Sequence, residues 1–512
     1  GQHLEQSLWI PASMPYYGEA RARTPLTKAL IFSSWSMVPD AVAALLSYEA
    51  ERRMGVGESG RRYFDQHRLR PLQFRQDQGR LAGLRALLLI YPSPVLAELA
   101  DPLAVFSETE TALSLEGMRA AAGDRLKPAL SALQEGAVAH QDAHSAEWAA
   151  PAVIDDLLGA RSRAWLEAPH GMRALASEDA FHDHVAELAA AVKTRNTGAS
   201  SDDLSDLLVD VALGSPAVCA LRALRRIAPE LAWDDPRLLS AAAEVAWSFR
   251  ALFNQHDAVA LLRRDTDDHY WRRVLAYCAQ HNLQAVLDEY AHYLVDGEGL
   301  GARPAEERAI GVARAMAQAL AIRPSQIDVD DVHVDGETLS ISKFQMRGRF
   351  AMRLADYKDE DGAVARLGGV REAFNSPFRP FVLATTSVGQ EGLNFHPYCY
   401  RVYHWNLPGN PVDLEQREGR VHRFKGHAVR LNLAERQAAA VRGRGQVPND
   451  PWKIMFERAR AETPIETDII PYWIYEGSVH VERCVPMLPF SREITRLAWL
   501  KRSLTVYRLA FG

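Results

Sequence analysis

Apolar and polar positions follow two different periods along the chain, and the change of period divides it into regions. An apolar run at residues 26–35 predicts a buried strand, and apolar positions at helical spacing over residues 38–53 predict a helix after it. From about residue 65 to residue 324, Ala and Leu recur at helical spacing with no fixed repeat period. This long stretch predicts a large all-helical region.

Strand patterns return after the helical region. Residues 332–334 and 338–342 flank an Asp-Gly pair, which predicts a hairpin. A helix ending near Phe374 follows a possible strand at residues 350–354. Three further strand-like runs come after it, at residues 381–386, 400–405 and 428–431.

The order of these elements predicts the fold class. Strands that alternate with helical connections imply a parallel sheet in an α/β fold. Because strands lie on both sides of the helical region, we predict one α/β domain, a parallel sheet flanked by helices, interrupted by a large all-helical insertion. A C-terminal extension is expected to follow.

Composition narrows the class of protein further. Of 512 residues, 47% are hydrophobic and 24% are charged, and no apolar run approaches the roughly 20 residues that span a bilayer. The four cysteines lack zinc-type spacing, so we expect reduced thiols, no metal site, a cytoplasmic protein and no membrane partner. The net charge of −6 offers no general attraction to nucleic acid, so any such binding needs a local basic face.

The segment 381–395 carries the first candidate chemistry. A strand leads into Thr385, Thr386 and Ser387, and Gly389 and Gly392 follow. Hydroxyl and backbone N–H groups can contact a phosphate backbone, and glycines allow close approach and unusual dihedral angles. The alternative is an ordinary strand-to-helix turn of an unrelated α/β protein.

The segment 413–427 carries the second group of residues with candidate chemistry. Gln416, Arg420 and Arg423 stand at i, i+4 and i+7, so we predict that they share one helical face. Two guanidinium groups on one face can reach the same anion and suit a transferring phosphate, as an arginine finger does. A solvated basic helix is the alternative, but it does not explain the glycine directly before Arg420.

Together the two segments resemble motifs V and VI of superfamily 2 helicases, with the Q-x-x-G-R-x-x-R pattern complete from Gln416 to Arg423. Residues 28–35 resemble the strand of motif IV, and Asn394, Trp405 and Asn406 resemble details of Swi/Snf-type translocases. The tail after residue 435 resembles extensions of the RNA-polymerase-associated bacterial ATPases of that type. The resemblance implies the second RecA-like lobe of a helicase or translocase.

Domain limits follow from the resemblance. Residues 24–64 and 345–435 are expected to form the RecA-like lobe, residues 1–23 a linker between lobes, residues 65–344 the helical insertion and residues 436–512 the extension. Neither a G-x-x-x-x-G-K-[S/T] phosphate loop nor a Walker B type acidic box occurs in the sequence. We therefore expect ATP and Mg²⁺ to be held mainly by a first RecA-like lobe elsewhere in the full-length protein.

The resemblance also implies roles for single residues. Arg420 and Arg423 would be catalytic, stabilising charge on the γ-phosphate. Three residues would act at the nucleotide site: Gln416, Glu391 and Gly392. Gln416 would position the two arginines, and Glu391 and Gly392 would couple the nucleotide cleft to the bound nucleic-acid strand. Residues expected to contact nucleic acid are Ser33, Thr385, Thr386, Ser387 and Gly389. The Swi/Snf-like details favour duplex DNA as the nucleic acid, and RNA is the alternative.

Two questions stay open at this level. The helical insertion could clamp duplex DNA, dock a partner protein or only stabilise the lobe, and its arginine clusters could be phosphate contacts or solvated helix faces. Those clusters are Arg222, Arg225 and Arg226, and Arg263, Arg264, Arg272 and Arg273. The other question is whether the protein is a motor or a non-catalytic scaffold, which would not need two arginines facing a cleft.

Overall fold

The computed structural model describes most of the chain. The described residues are 4–18, 25–54, 70–77, 79–136, 146–197, 201–262, 269–323, 325–335, 338–354, 357–358, 364–365, 367–386, 392–443, 449–463, 467–487 and 491–511.

Strands occur mainly on either side of a long helical stretch. They are β1 (Lys28–Phe32), β2 (Arg75–Asp77), β3 (Arg80–Ala82), β4 (Ser325–Asp335), β5 (Thr338–Gly348), β6 (Ala351–Arg353), β7 (Tyr357–Lys358), β8 (Val364–Ala365), β9 (Val382–Thr385), β10 (Cys399–His404) and β11 (Glu482–Cys484). Five of them form one sheet in the order β11-β10-β1-β9-β6. Every pairing in this sheet is parallel.

Helices make up most of the remaining structure. They are α1 (Val38–Arg53), α2 (Leu87–Ile90), α3 (Pro94–Leu99), α4 (Pro102–Glu108), α5 (Leu115–Gly136), α6 (Ala150–Leu157), α7 (Ser162–Glu167), α8 (Asp179–Thr194), α9 (Ser201–Gly214), α10 (Pro216–Ile227), α11 (Pro236–Phe253), α12 (His256–Leu262), α13 (Tyr270–Gln280), α14 (Leu283–Gly297), α15 (Ala305–Leu320), α16 (Leu367–Phe374), α17 (Pro411–Gly419), α18 (His427–Gln437), α19 (Pro451–Ala461) and α20 (Glu493–Phe511). Helices α2 to α15 are called the helical region below.

The central strand β1 shows why the sheet is buried on both faces. Side chains alternate between the faces of a strand, so Leu30 and Phe32 join one apolar cluster with Leu383 of β9, while Ile31 joins the opposite cluster. Helix α1 covers that opposite face through Val38 and other apolar residues. This parallel sheet between helices confirms the predicted RecA-like α/β fold with a helical insertion.

The helical region packs around one large apolar core, which also includes Phe378, Val429 and Trp452 from outside that region. Several of its helices begin with a capping side chain followed by proline, which suits the first helical turn; Ser93, Asp101 and Asp235 cap α3, α4 and α11 in this way. The segment expected to link two lobes packs against this core. Trp9 lies edge-on to Phe249 and Tyr277, so this segment is held by buried aromatic contacts.

Several predicted elements agree with the structure and one does not. Helix α1 has the predicted bounds, and β4 and β5 form the predicted hairpin, with Asp335 opposite Thr338. The strand predicted at residues 428–431 is wrong, because these residues belong to α18. Val429, Leu431 and Leu433 are all buried. A helix that is buried nearly all round produces a short apolar run that resembles a strand.

For Arg222 and Arg226 of α10, both predicted alternatives, a phosphate contact and a solvated helix face, are wrong. Arg222 and Arg226 are buried and neither faces solvent nor offers a surface for phosphate. Arg226 donates to Asp101 and Asp288, and Arg222 donates to backbone carbonyls of the helical region. Arg263 and Arg264 lie outside the described residues. Arg272 and Arg273 are at least partly exposed, and Arg273 donates to the carbonyl of Leu262.

Within the described ranges, no single helix is long and apolar enough to cross a membrane. Two bent pairs of helices reach that length and apolarity together, Leu84–Ile90 with Pro94–Glu108 and Leu204–Gly214 with Pro216–Ile227.

Candidate functional site

The carboxyl ends of three neighbouring strands meet at one edge of the sheet. Ser33 follows β1, Thr385 ends β9 and Trp405 follows β10. The Ser33 amide donates to the Thr385 carbonyl at 3.0 Å, and the Trp405 amide donates to the Phe32 carbonyl at 2.9 Å. In open α/β sheets this edge is where ligands bind.

Helix α17 starts at this edge and has clear signals at both ends. Asn410 caps it by accepting from the Asp413 amide at 2.8 Å, and Pro411 occupies the first turn. The helix ends at Gly419, whose missing side chain favours termination. Arg417 lies on the buried side of α17 and donates to the Asn406 carbonyl at 3.1 Å, which holds the helix against the strand ends.

Because α17 ends at Gly419, the prediction that Gln416, Arg420 and Arg423 share one helical face is wrong. Arg420 caps the helix and Arg423 follows in a non-helical turn. We call residues 420–426 the arginine turn. Between the two arginines, Val421 is buried in a core that covers one face of the sheet, and this anchor fixes the course of the turn.

The three residues nevertheless line one cavity of about 450 Å³. The other residues that line it are Val412, Glu415, Gly419 and Tyr507. Glu415 is the only acidic residue among them, and its carboxylate accepts from Arg508 of α20 at 2.5 and 2.8 Å. The carboxylate that would repel an anion is therefore bound by a separate arginine.

The electrostatic state of the two arginines favours an anion. Burial lowers the pKa of Arg420, and the positive charge of the neighbouring Arg423 lowers the pKa further. Among the residues that the structure describes, no acceptor lies within hydrogen-bonding distance of the buried Nε atom of Arg423. Bidentate phosphate binding by guanidinium groups would supply both the acceptor and the missing negative charge.

Hydrogen bonds connect the arginine turn to the segment after β9, one of them between the His396 side chain and the Phe424 backbone. The Phe395 amide donates to the Arg420 carbonyl at 2.8 Å, and Phe395 is fully buried in the same core as Val421. Upstream, Gly392 is exposed and has a φ of +67°, a left-handed conformation in which glycine is unstrained. The hydrogen bond from Phe395 therefore links the position of this segment to that of Arg420.

The remaining residues that were predicted to contact nucleic acid or nucleotide differ in how exposed they are. Thr386 is partly exposed at the sheet edge, whereas the side chains of Ser33 and Thr385 are buried at 1% exposure each. The Ser33 hydroxyl accepts from the Trp35 amide at 3.0 Å. Ser387, Gly389 and Glu391 lie outside the described residues. The roles of all these residues stay predictions.

Sequence reasoning missed part of the cavity wall. Val412 and Glu415 lie one turn or less from Gln416, so helical spacing could have found them. Tyr507 comes from α20, which packs on α17 through Leu414, Leu500 and Leu504. No local pattern in the sequence joins α20 to α17, since their contact depends on the tertiary fold.

A family comparison agrees with this geometry. Residues 369–425 match the family model of the helicase conserved C-terminal domain. The matched segment runs from α16 to the arginine turn and includes both cavity arginines. This part of the chain is thus similar to a helicase C-terminal domain, and it lies on the RecA-like sheet. No curated protein and no solved structure shows a significant match to the chain.

The residues that line the cavity suit the phosphate groups of ATP better than they suit Mg²⁺. Its two arginines fit the phosphate groups of a nucleotide, because Arg423 has a buried donor without a described acceptor. Among the described residues, no group of three or more His, Cys, Asp or Glu side chains could hold a metal ion. The described part of the chain therefore offers phosphate ligands and no metal site.

Proposed function

We propose that this chain provides the second motor lobe of an ATP-dependent nucleic-acid helicase or translocase that acts on duplex DNA. The observation that carries the proposal is the cavity in which Arg420, Arg423 and Gln416 converge, inside the segment that matches the helicase C-terminal domain. A first RecA-like lobe of the same full-length protein would hold ATP and Mg²⁺ against this cavity. Bound there, the nucleotide would supply the phosphoanhydride bond whose cleavage drives the motor.

The two arginines would stabilise negative charge on the phosphate and would not transfer protons. Guanidinium groups keep their positive charge over the whole physiological pH range, so Arg420 and Arg423 can donate hydrogen bonds to the terminal phosphate throughout the reaction. Charge on the oxygens of the transferring phosphoryl group is stabilised by such donors. Gln416 lies on the last turn of α17 and would orient the two arginines.

Nucleic acid would bind at the sheet edge beside the arginine turn. Thr386 and the backbone near Gly392 would contact the phosphates of one strand. Because the Phe395 amide is bonded to the Arg420 carbonyl, a displacement of this segment by the strand would reach Arg420 through one hydrogen bond. This route would couple strand binding to hydrolysis in the full-length motor.

The test is nucleic-acid-stimulated ATP hydrolysis by the full-length protein. Removing an arginine finger lowers kcat by about 10³-fold or more, so we expect Arg420→Ala and Arg423→Ala to lose that activity and keep ATP binding. Arg436→Ala is the matched control, because Arg436 is an exposed arginine on α18 that does not line the cavity. Unchanged turnover in both cavity variants would contradict the proposal and leave the non-catalytic scaffold.

The nucleic-acid specificity needs a separate measurement. Stimulation of ATP hydrolysis by duplex DNA, single-stranded DNA and RNA of equal length should be compared at one salt concentration, because phosphate contacts weaken steeply with salt. We expect duplex DNA to stimulate most. Equal or greater stimulation by RNA would contradict the assignment to duplex DNA while leaving the motor function intact.

A further inference from the structure

Helix α14 of the helical region makes direct contact with the arginine turn. The Lys425 ammonium donates to the Asp296 carboxylate at 2.5 Å and to the Nε2 atom of His292 at 2.9 Å. Lys425 is the sixth residue of the turn, and its side chain is only 8% exposed. The helical region thus holds the turn by a nearly buried charged contact.

The contact continues beyond Lys425. Because the Nε2 atom of His292 accepts from Lys425, its Nδ1 atom carries the proton and donates to the Asp450 carboxylate at 2.7 Å. Asp450 in turn caps α19 by accepting from the amides of Trp452 and Lys453, both at 3.0 Å. One chain of hydrogen bonds therefore joins α14, α19 and the arginine turn.

A second contact lies just beyond the end of the turn. Arg430 of α18 donates to Glu289 of α14 at 2.7 Å, and both side chains are fully buried. Arg430 also donates to the Lys425 carbonyl at 2.7 Å, so the backbone of the turn is held as well as its side chain. Glu289 accepts in addition from the amide and the hydroxyl of Ser13.

The backbone at Lys425 carries a cost that the side chain must offset. Its φ of +49° lies in the left-handed region, which disfavours a residue with a Cβ atom. A glycine would adopt this conformation freely. A lysine at such a position is explained by its contacts with Asp296 and His292, which glycine could not make.

We propose that Lys425 is a positioning residue through which the helical region holds Arg420 and Arg423 in the orientation that phosphoryl transfer requires. The inference rests on the proposed function of these arginines, and it assigns the helical region a part in the reaction. A misplacement of about 1 Å in a catalytic group can lower a rate by about 10²-fold, so a small movement of the turn has a large effect.

The first experiment separates positioning from folding in the full-length protein. Lys425→Gly removes the ammonium and relieves the backbone strain, and Asp296→Asn removes the charge of its partner from a side chain that is 37% exposed. We expect kcat of the stimulated ATPase to fall by about 10-fold to 100-fold in both variants, with KM for ATP unchanged within about twofold. A purely structural role would lower the melting temperature and leave kcat of the folded enzyme unchanged, and that result would overturn the proposal.

The matched control is Asp210→Asn. Asp210 of α9 is 28% exposed and forms an ion pair with Arg119 of α5, inside the helical region and away from the arginine turn. We expect this variant to keep the kcat of the unmodified protein. A loss of kcat equal to that of Asp296→Asn would show that any weakened ion pair in the helical region lowers activity, which contradicts a specific role for Lys425.

A combined variant distinguishes this proposal from the proposed function. In a background that carries both Arg420→Ala and Arg423→Ala, Lys425→Gly should lower the residual kcat by less than about twofold more, because a positioning residue acts through the groups that it positions. Independent, multiplicative losses would overturn the positioning role while leaving the arginine function standing. If Arg420→Ala and Arg423→Ala themselves leave turnover unchanged, the proposed function fails first.

Discussion

Two sets of arginines in this protein have the same chemistry and opposite surroundings. Arg222 of α10 lies in the core of the helical region and donates five hydrogen bonds, four of them to the carbonyls of Leu96, Ala97, Ala100 and Ala212. Arg423 of the arginine turn lines an open cavity and has a buried Nε atom with no acceptor in the described structure. A buried Nε atom without a described acceptor also occurs in the structural arginines Arg226 and Arg379, so Arg423 differs by combining this free donor with a position on an open cavity.

Three of the acceptors of Arg222 explain its structural role. Leu96, Ala97 and Ala100 lie in or directly after α3, where carbonyls at the end of a helix need partners from outside it, although the Leu96 carbonyl also accepts from the Ala100 amide at 3.3 Å. The positive charge of Arg222 also suits the negative end of the helix dipole. Arg222 therefore caps α3 from a neighbouring helix, whereas nothing comparable surrounds Arg423.

The largest expected effect on stability is that of Arg222→Met. Several buried carbonyls would lose their donor, so we expect the free energy of unfolding to fall by about 4 kcal/mol. Arg225→Met is the matched control, since Arg225 stands on the same helix, is half-buried over Trp233 and should cost less than about 1 kcal/mol. Arg423→Ala should change stability by less than about 0.5 kcal/mol. Denaturant unfolding measures all three, and equal losses would remove the contrast between the two sets.

A smaller effect is expected on how stability depends on pH, because the arginines lower the pKa of a histidine beside the arginine turn. Burial, together with the positive charges of Arg430 and Arg423, lowers the pKa of His396 to about 3. In the unfolded chain His396 has an ordinary pKa of about 6.5. Between about pH 6.5 and pH 3, the unfolded chain therefore binds a proton at His396 and the folded chain does not. Stability from this group is thus complete above about pH 6.5 and is lost as pH falls toward 3, by about 2 kcal/mol between pH 7 and pH 5.

The variant His396→Gln isolates this effect. Burial raises the pKa of Asp155 to about 7 and that of Asp288 to about 6, so these carboxyl groups shift stability in the opposite direction over the same range. Both groups are present in the variant, and the difference between the two proteins reports His396 alone. We expect that difference to change by about 2 kcal/mol from pH 7 to pH 5. Parallel pH profiles would show that His396 titrates normally.

The smallest expected effect is on nucleotide affinity, and it concerns Tyr507 on the side of the cavity opposite α17. Tyr507→Ala removes an aromatic ring that lines the cavity opposite α17, so we expect the dissociation constant of a fluorescent ADP analogue to rise by about fivefold in the full-length protein. Tyr48→Ala is a matched control, because Tyr48 is 44% exposed against 46% for Tyr507 and lies on α1. An equal change in both variants would exclude a specific contact between Tyr507 and the nucleotide.

The sequence predicts features that depend on residues close together in the chain, and it does not predict features that depend on residues far apart. Helix α1, the β4–β5 hairpin and the cavity residues Gln416, Arg420 and Arg423 were found because periodicity, turn residues and a short motif are local. The roles of Arg222 and Tyr507 were missed because their partners come from distant parts of the chain. The end of α17 at Gly419 was missed because a spacing of i, i+4 and i+7 was extended through a glycine that ends the helix.

The most direct test of the central claim is the affinity of the full-length protein for a transition-state analogue. ADP with aluminium fluoride mimics the transferring phosphoryl group, and an arginine that acts on that group stabilises the analogue more than it stabilises ADP. We predict that Arg423→Ala loses about 10²-fold or more in affinity for the analogue and less than about threefold for ADP. Equal affinities of the variant and the unmodified protein for the analogue would contradict the assignment of Arg423 to the phosphate.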